Sequence, residues 1–365
     1  MDIDHNSALE NLLALPCPSC GSELSYSAEH KKISCNHCGY KEEVDDANDL
    51  VRELSLSKAV SEAKSYSPEA IGKKVFDCQN CGAKFLLDAK VVKVKCSFCA
   101  SRNVNVEAFE HNFIQPMGVI PFQIPEEEAD EKFDSWIKKG WFHPTKLKRM
   151  ASKDVLNGMY VPFWTFDAQT ETDYSGQAGY HYYVSETVRT GDKTTTRQVK
   201  KTRWEYRSGH LSHFFDDILV VAANKIKQSL IERILPFQLS KMVNFDPRLL
   251  SGWEAEVYDI ELNEGYNRAD TIMDRKIREL CKQAIGGDVQ RNVRTQSHKF
   301  NQTFKHVLLP VWLCSYVYMD KTYQFAINGQ TGKIKGEKPI SWVKIGFLIF
   351  LFVAIIMAIY FWKTQ

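Results

Sequence analysis

Apolar positions fall into three regimes along this chain of 365 residues. The last regime is the simplest, since positions 345–362 carry neither a charge nor a proline and are bracketed by Lys344 and Lys363. As a helix this run is about 27 Å long, close to the hydrocarbon thickness of about 30 Å. Trp342 then falls at one interface and Tyr360 and Trp362 at the other, where amphipathic rings prefer to sit. The pattern predicts one transmembrane anchor over 341–363, with the rest of the chain held beside a bilayer.

The middle regime, 110–340, alternates between two periods. Helical spacing follows the acidic start Glu126-Glu127-Glu128 through Phe133, Trp136 and Ile137, and returns over 145–159, over 214–234 with Pro236 ending it, and over 264–285 before Gly286-Gly287. Alternation with period two runs through Tyr174 and Tyr180 to Tyr183, and again over 308–312, 316–318 and 323–325 before a turn at Asn328-Gly329. These elements predict one α+β body. The phrases Val161-Pro-Phe-Trp164 and Leu309-Pro-Val-Trp312 read as strand openings, a proline at the start beside a core aromatic, or else as traces of an internal duplication.

The first regime has short apolar runs broken by cysteines. Cys17-Pro-Ser-Cys20-Gly is followed after fourteen residues by Cys35-Asn-His-Cys38-Gly, and Cys78-Gln-Asn-Cys81-Gly after fourteen residues by Cys96-Ser-Phe-Cys99-Ala. The second set lies 61 positions beyond the first at all four cysteines. Paired Cys-x-x-Cys knuckles at this spacing close a tetrahedron of thiolates around Zn²⁺, with iron the competing metal and disulfides disfavoured in a reducing compartment. The pattern predicts two structural Zn²⁺ ions in two zinc ribbons, 1–45 and 71–109. Closed centres of this kind stabilise segments too small to fold on their own core. His30 and His37 are expected at the surface, and Cys281 and Cys314 as buried core thiols. Between the ribbons, 46–70 is a linker whose apolar spacing over 49–63 predicts a short amphipathic helix suited to docking a partner helix.

Charge refines this picture only locally. The whole chain carries a net +2, which announces neither a nucleic-acid binder nor an acidic tail. Positions 1–60 hold eleven acidic residues against five basic, which argues against phosphate contact there. Positions 71–110 hold seven basic residues, Lys73, Lys74, Lys84, Lys90, Lys93, Lys95 and Arg102, against four acidic. A basic hairpin over 189–207 sets Arg189, Lys193, Arg197, Lys200, Lys201, Arg203 and Arg207 against Glu186, Asp192 and Glu205, with Trp204 and Tyr206 interleaved. Such a surface suits nucleic acid, anionic lipid or an acidic protein, and is otherwise a solvated hairpin tip. The opening residues lack the basic and apolar regions of a secretory signal, and Lys333, Lys335, Lys338 and Lys344 outnumber Lys363 across the span. Both features predict a cytoplasmic head at a bacterial inner membrane.

Neither Gly-x-Ser-x-Gly nor His-Glu-x-x-His occurs in the sequence. Gly329-Gln-Thr-Gly332-Lys333-Ile334 has the wrong spacing for a phosphate loop and lacks its hydroxyl. His210-Leu-Ser-His213 with Asp216 and Asp217 is a weak metal pattern, and the two aspartates are better placed at the positive end of a following helix. The chain is therefore expected not to be an enzyme.

In order along the chain, the two ribbons, Pro162-Phe-Trp-Thr-Phe-Asp167, Phe215-Asp-Asp217, Leu309-Pro-Val-Trp312, Asn328-Gly-Gln-Thr-Gly332 and the terminal span resemble a family of bacterial membrane-anchored proteins with double TFIIB-type zinc ribbons. Its members are often labelled primosomal protein N′ or superfamily II helicase-like, and are similar to the partner of flotillin-like SPFH proteins and phage shock protein A in membrane-stress responses. The resemblance implies a non-catalytic scaffold or adaptor that docks protein partners, and carries over only the eight cysteines. The helicase label fits poorly without a phosphate loop. The alternative it leaves is a membrane-tethered nucleic-acid-binding protein.

Overall fold

The computed structural model describes residues 17–22, 24–30, 32–43, 51–59, 65–66, 73–88, 96–99, 101, 104–107, 113–139, 156–190, 193–226, 228–318, 321–337 and 341–364. The first ribbon is a meander of β1 (Leu24–Ser27), β2 (Lys32–Cys35) and β3 (Lys41–Glu43). Next come β4 (Leu54–Ser55), one 3-10 turn (Leu56–Lys58) and β5 (Ser65–Tyr66). Over the described 51–58 the amphipathic helix expected over 49–63 gives way to a strand and a turn, and Ala59 is helical. Leu54 and Ser55 pair with Phe304 and Thr303, a tertiary partner that outweighs local spacing. The second ribbon comprises β6 (Lys73–Cys78), β7 (Lys84–Asp88) and β8 (Val104–Glu107). After β9 (Phe113–Ile114) and β10 (Gly118–Val119), α1 (Glu126–Lys138) buries Ala129, Phe133 and Ile137, as its periodicity predicts.

Two very long strands follow, β11 (Asn157–Thr190) and β12 (Lys193–Val221), then α2 (Gln228–Ile234), β13 (Val243–Asn244) and β14 (Glu254–Glu256). Two expected helices are corrected here. Of 145–159, only 156–159 is described, and Asn157 to Met159 open β11. Of 214–234, the first part is strand, because Phe214 to Val221 pair with β11 and bury Phe215, Val220 and Val221; only Gln228–Ile234 is helical. Asp216 and Asp217 therefore sit beside a bulge in β12 and not at a helix N-terminus, Asp217 with φ 52°. The chain ends with α3 (Leu262–Ile285), β15 (Val289–Tyr318), β16 (Lys321–Asn328), β17 (Ile334–Gly336) and α4 (Trp342–Thr364). The body and the first-described elements together form the mixed, largely antiparallel α+β architecture expected.

β11 is the spine of the main sheet, flanked by β15 along one edge and by β14 then β12 along the other. Residues from Met159 to Phe166 are wholly buried and apolar but for Thr165, since both faces of the sheet are covered here. Trp164, Phe166 and Ala168 face α3, whose Gly265, Ala269, Met273, Ile277 and Cys281 form its buried stripe. Gly265 is required by closeness, because a Cβ there would lie 2.6 Å from Trp164 Cδ1. The other face packs Met159, Val161, Phe163, Val307, Leu309 and Val311 against α2 and the second ribbon.

The two prolines expected at strand starts lie inside long strands. Pro162 falls where β14, paired at Met159 and Tyr160, gives way to β12, which begins pairing at Phe163. Pro310 falls where β10, paired at Val307 and Leu308, gives way to β16, which begins at Val311. At each handover one neighbour has ended and the next has not begun, so the missing N–H leaves no ladder bond unmade. The two phrases are direct antiparallel neighbours, with Val161 opposite Leu309. Their tryptophans act alike: Trp164 Nε1 donates to Ile260 O at 2.8 Å and Trp312 Nε1 to Ile124 O at 3.0 Å.

Candidate metal centres

In the first ribbon each knuckle is closed by its backbone. Gly21 N donates to Cys17 O at 2.8 Å and Gly39 N to Cys35 O at 3.0 Å, with φ of 73° and 75° at the two glycines, a region that L side chains avoid. Cys17 and Cys35 are buried while Cys20 and Cys38 face outward. Sγ separations are 3.5 Å for Cys17–Cys38 and 3.6 Å for Cys20–Cys35. The second ribbon repeats this, with Gly82 at φ 68° and separations of 3.6 Å for Cys78–Cys99 and 3.7 Å for Cys81–Cys96. In both clusters all four sulfurs lie within 4.8 Å of one another. A tetrahedron with Zn–S bonds of about 2.3 Å requires S···S of about 3.8 Å, so each cluster can hold a zinc ion, and the spacing is far beyond a disulfide bond.

The protein alone does not favour four thiolates so close together. Burial pushes the Cys81 thiol up to about 11 and raises Cys96 further, so the cation supplies the charge that ionises them. His30 and His37 are exposed and stand outside the clusters, and Cys281 and Cys314 are buried in the core.

The two ribbons are fastened to the body in different ways. In the first, Tyr26 Oη donates to Phe122 O at 3.0 Å, Trp253 Nε1 donates to Tyr26 O at 3.3 Å, and Glu42 pairs with Arg248 at 2.8 Å. The second is continuous with the main sheet, since Leu86 and Phe85 of β7 pair with Ala255 and Glu256 of β14. Its last knuckle is tied down as Ser97 Oγ donates to Glu254 Oε2 at 2.6 Å and Asn157 Nδ2 donates to Ser97 Oγ at 3.1 Å. Lys73, expected on a basic surface, is buried and donates to Leu250 O at 2.7 Å and Trp253 O at 3.2 Å. Lys90, Lys93, Lys95 and Arg102 lie outside the described residues.

The basic hairpin is the distal part of β11 and β12. β15 accompanies β11 only as far as Gly179, opposite Val289, beyond which two strands continue alone. Registry separates the expected binding residues by face. Arg197, Lys201, Arg203 and Arg207 lie opposite Glu186, Tyr182, Tyr180 and Gly176 on one face, while Lys200 and Trp204 lie opposite Tyr183 and Gly179 on the other. Trp204 is covered by Arg291, whose guanidinium stands 3.9 Å from the ring centroid. Arg189 pairs by backbone with Thr194, and its side chain is outside the description.

His210 and His213 do not join Asp216 and Asp217 in a metal site. Both histidines lie on β12, where His210 is held between Asp173 Oδ1 at 2.8 Å and Glu171 Oε2 at 2.5 Å. Those carboxylates, Asp173 first, raise the imidazole above its usual range. Asp167, Asp216 and Asp217 do cluster, and an ammonium pairs with one of them: Lys305 lies 2.7 Å from Asp217 and 3.0 Å from the nearby Glu53. Lys305 and Glu53 escaped the sequence reading. The signal was a lysine and a histidine, Lys305-His306, set inside the apolar run from Phe304 to Leu309.

Over 335 residues, 92% of this chain and 92% of the other, the sequence is 30% identical to the uncharacterized protein YdjG of Bacillus subtilis (strain 168). The chain belongs to the YdjG family. No protein-family model matches the chain, and no solved structure matches it. Its zinc-binding clusters are its own evidence of metal, and the finer family labels lie beyond this likeness.

Proposed function

We propose that the protein is a non-catalytic adaptor anchored in the bacterial inner membrane by α4, with its zinc-ribbon head in the cytoplasm, where it docks protein partners. One observation carries this reading. The window Lys344–Trp362 is long and apolar enough to cross a membrane, and none of it is buried against the rest of the protein. Its large side chains are exposed on every side, from Phe347 at 61% to Trp362 at 82%, which a soluble head does not tolerate but lipid satisfies. Filled Cys₄ centres keep no open position for substrate and so serve structure. The lysines before the span support the cytoplasmic orientation, and the family resemblance supports flotillin-like SPFH proteins or phage shock protein A as partners.

A second reading, a membrane-tethered nucleic-acid-binding protein, is favoured by the exposure of Arg197, Lys200, Lys201 and Arg203 on the hairpin. Fractionation and crosslinking of native membranes decide between them. The adaptor reading expects the chain in the membrane pellet, released by detergent and not by salt, and crosslinked to proteins. Recovery in the soluble fraction, or turnover of a substrate by the intact chain, refutes it. Salt-sensitive binding of DNA by the intact chain without protein crosslinks favours the second reading.

A further inference from the structure

The arm formed by β11 and β12 beyond Gly179 has two unlike faces. α3 covers one face of the sheet as far as Ile285, which sits against Gly176, and Gly287 closes over Ala178. On the same face β12 becomes charged from Arg207, opposite Gly176 and 51% exposed at its side chain, outward into the two-stranded part. Lys201 pairs with Glu186 at 2.8 Å, and Glu205 is shared by Arg203 and Arg207, each at 3.0 Å. Arg197 stands directly opposite Glu186, and Arg203 lies over the Tyr180 ring at 6.0 Å. Tyr182 is 46% exposed between the two groups. Four cations thus share two carboxylates in two clusters, one around Glu186 and one around Glu205, which is opposite Ala178. Eight strand positions separate them, on the order of 27 Å.

Three features select the partner. Carboxylates interleaved with the cations would press against the continuous phosphates of nucleic acid, whereas a protein surface supplies acidic groups at separated points. Tyrosine and arginine together are the side chains that protein interfaces favour. Registry also places the arm at the opposite end of the strands from the anchor. Gly336, which leads to α4, pairs with Phe325, which pairs with Cys314, next to the Leu313 that faces Asn157 at the start of β11. A face at the far end of that strand is poorly placed for lipid of the anchoring bilayer.

We propose that this face, with Arg197, Lys201, Arg203 and Arg207 around Tyr180 and Tyr182, docks an acidic segment of a protein partner whose carboxylates engage both clusters. The inference rests on the adaptor reading and names the surface that performs it. The test uses the full chain in phosphatidylcholine nanodiscs and a fluorescent glutamate-rich peptide long enough to span the clusters. Binding weakened at least about tenfold in the Arg197→Glu, Lys201→Glu, Arg203→Glu, Arg207→Glu variant, but unchanged in a Lys200→Glu, Arg294→Glu control, is the expected result. Zinc content and melting temperature check that the variant is folded, and the glutamine versions of the four changes provide a milder second test. Equal binding by wild type and variant overturns the proposal. So does tighter binding of a DNA oligonucleotide or of phosphatidylglycerol vesicles than of the peptide, lost in the same variant. Crosslinks to proteins in native membranes that survive the four reversals overturn this surface and leave the adaptor reading standing; a wild-type chain with no protein crosslinks removes the adaptor reading itself.

Discussion

His306 is a buried base that the fold keeps neutral. It is 3% exposed, its Nδ1 is 2.7 Å from Ile114 O, and its ring packs on Trp164 and Tyr258. Burial drives its pKa down to about 4 from 6.5. A group depressed in the folded state leaves stability intact above the unfolded value and removes it as pH falls towards the folded one. Unfolding free energy should therefore decline between pH 6.5 and about 4, at a slope approaching 1.4 kcal/mol per pH unit from this residue alone. Denaturant melts across that window should show the slope reduced in His306→Phe, whatever the change in absolute stability; an unchanged slope rejects the assignment. One position earlier, Lys305 is 8% exposed at its side chain and bridges Glu53 and Asp217. Burial, and then the neighbouring Glu53, push Asp167 up to about 6, and beside it Lys305 pairs with Glu53 and Asp217. Lys305→Met should cost about 1–3 kcal/mol by leaving the partly exposed Glu53 and Asp217 without their counter-ion. Adding Glu53→Gln should recover part of that loss, and a double-mutant cycle by urea unfolding measures how much.

Elements were legible where one face decided their pattern and illegible where a distant strand did. α1 and α3 bury a single stripe each, so Phe133 and Ile137, or Met273 and Ile277, announce a helix from local spacing. The segment from Phe214 to Val221 gives no such sign, since it is apolar at adjacent positions and its strand state is imposed by β11. Polar β15 residues between Val289 and Lys299 were missed for the same reason: one side of that strand meets α3 and the other meets water, with hydrogen bonds to β11 doing the ordering. The cysteine centres were legible to the residue because metal geometry fixes spacing more tightly than packing does. What the spacing hid is how differently the ribbons are attached. The first meets the body through side chains, whereas the second shares the β7–β14 ladder and contributes Phe76, Phe85 and Phe98 to the core beneath β11. Cys96→Ser should then lower the melting temperature of the whole head, while Cys20→Ser should release one zinc equivalent and loosen the first ribbon locally. Calorimetry with hydrogen exchange tests this, and equal global destabilisation by both would reject it.

At the scale of the whole molecule, the strands are longer than any core can use. β11 has 34 residues, on the order of 110 Å at about 3.3 Å per residue, yet burial is complete only around Met159 to Ala168. Two-stranded ribbons without a third strand or a packed face contribute little to stability, so the segment beyond Gly179 is retained at a cost in exposed backbone edge that charged side chains must guard. Lys201, Arg203 and Arg207 serve that protective purpose whether or not a partner binds them, which makes the arm separable from the fold. Replacing 180–203 by a tight turn should therefore leave zinc content intact and melting temperature within a few degrees. The longest dimension in X-ray scattering from the detergent-solubilised chain should shorten by about 35 Å, the length of the eleven β11 positions from Tyr180 to Thr190. A large loss of stability would mean that the arm folds back on the head and is part of its core. With the arm gone and the head intact, any partner lost from native membranes is assigned to the arm, and any partner kept belongs to the ribbons, the anchor or the Arg207–Glu205 pair that remains.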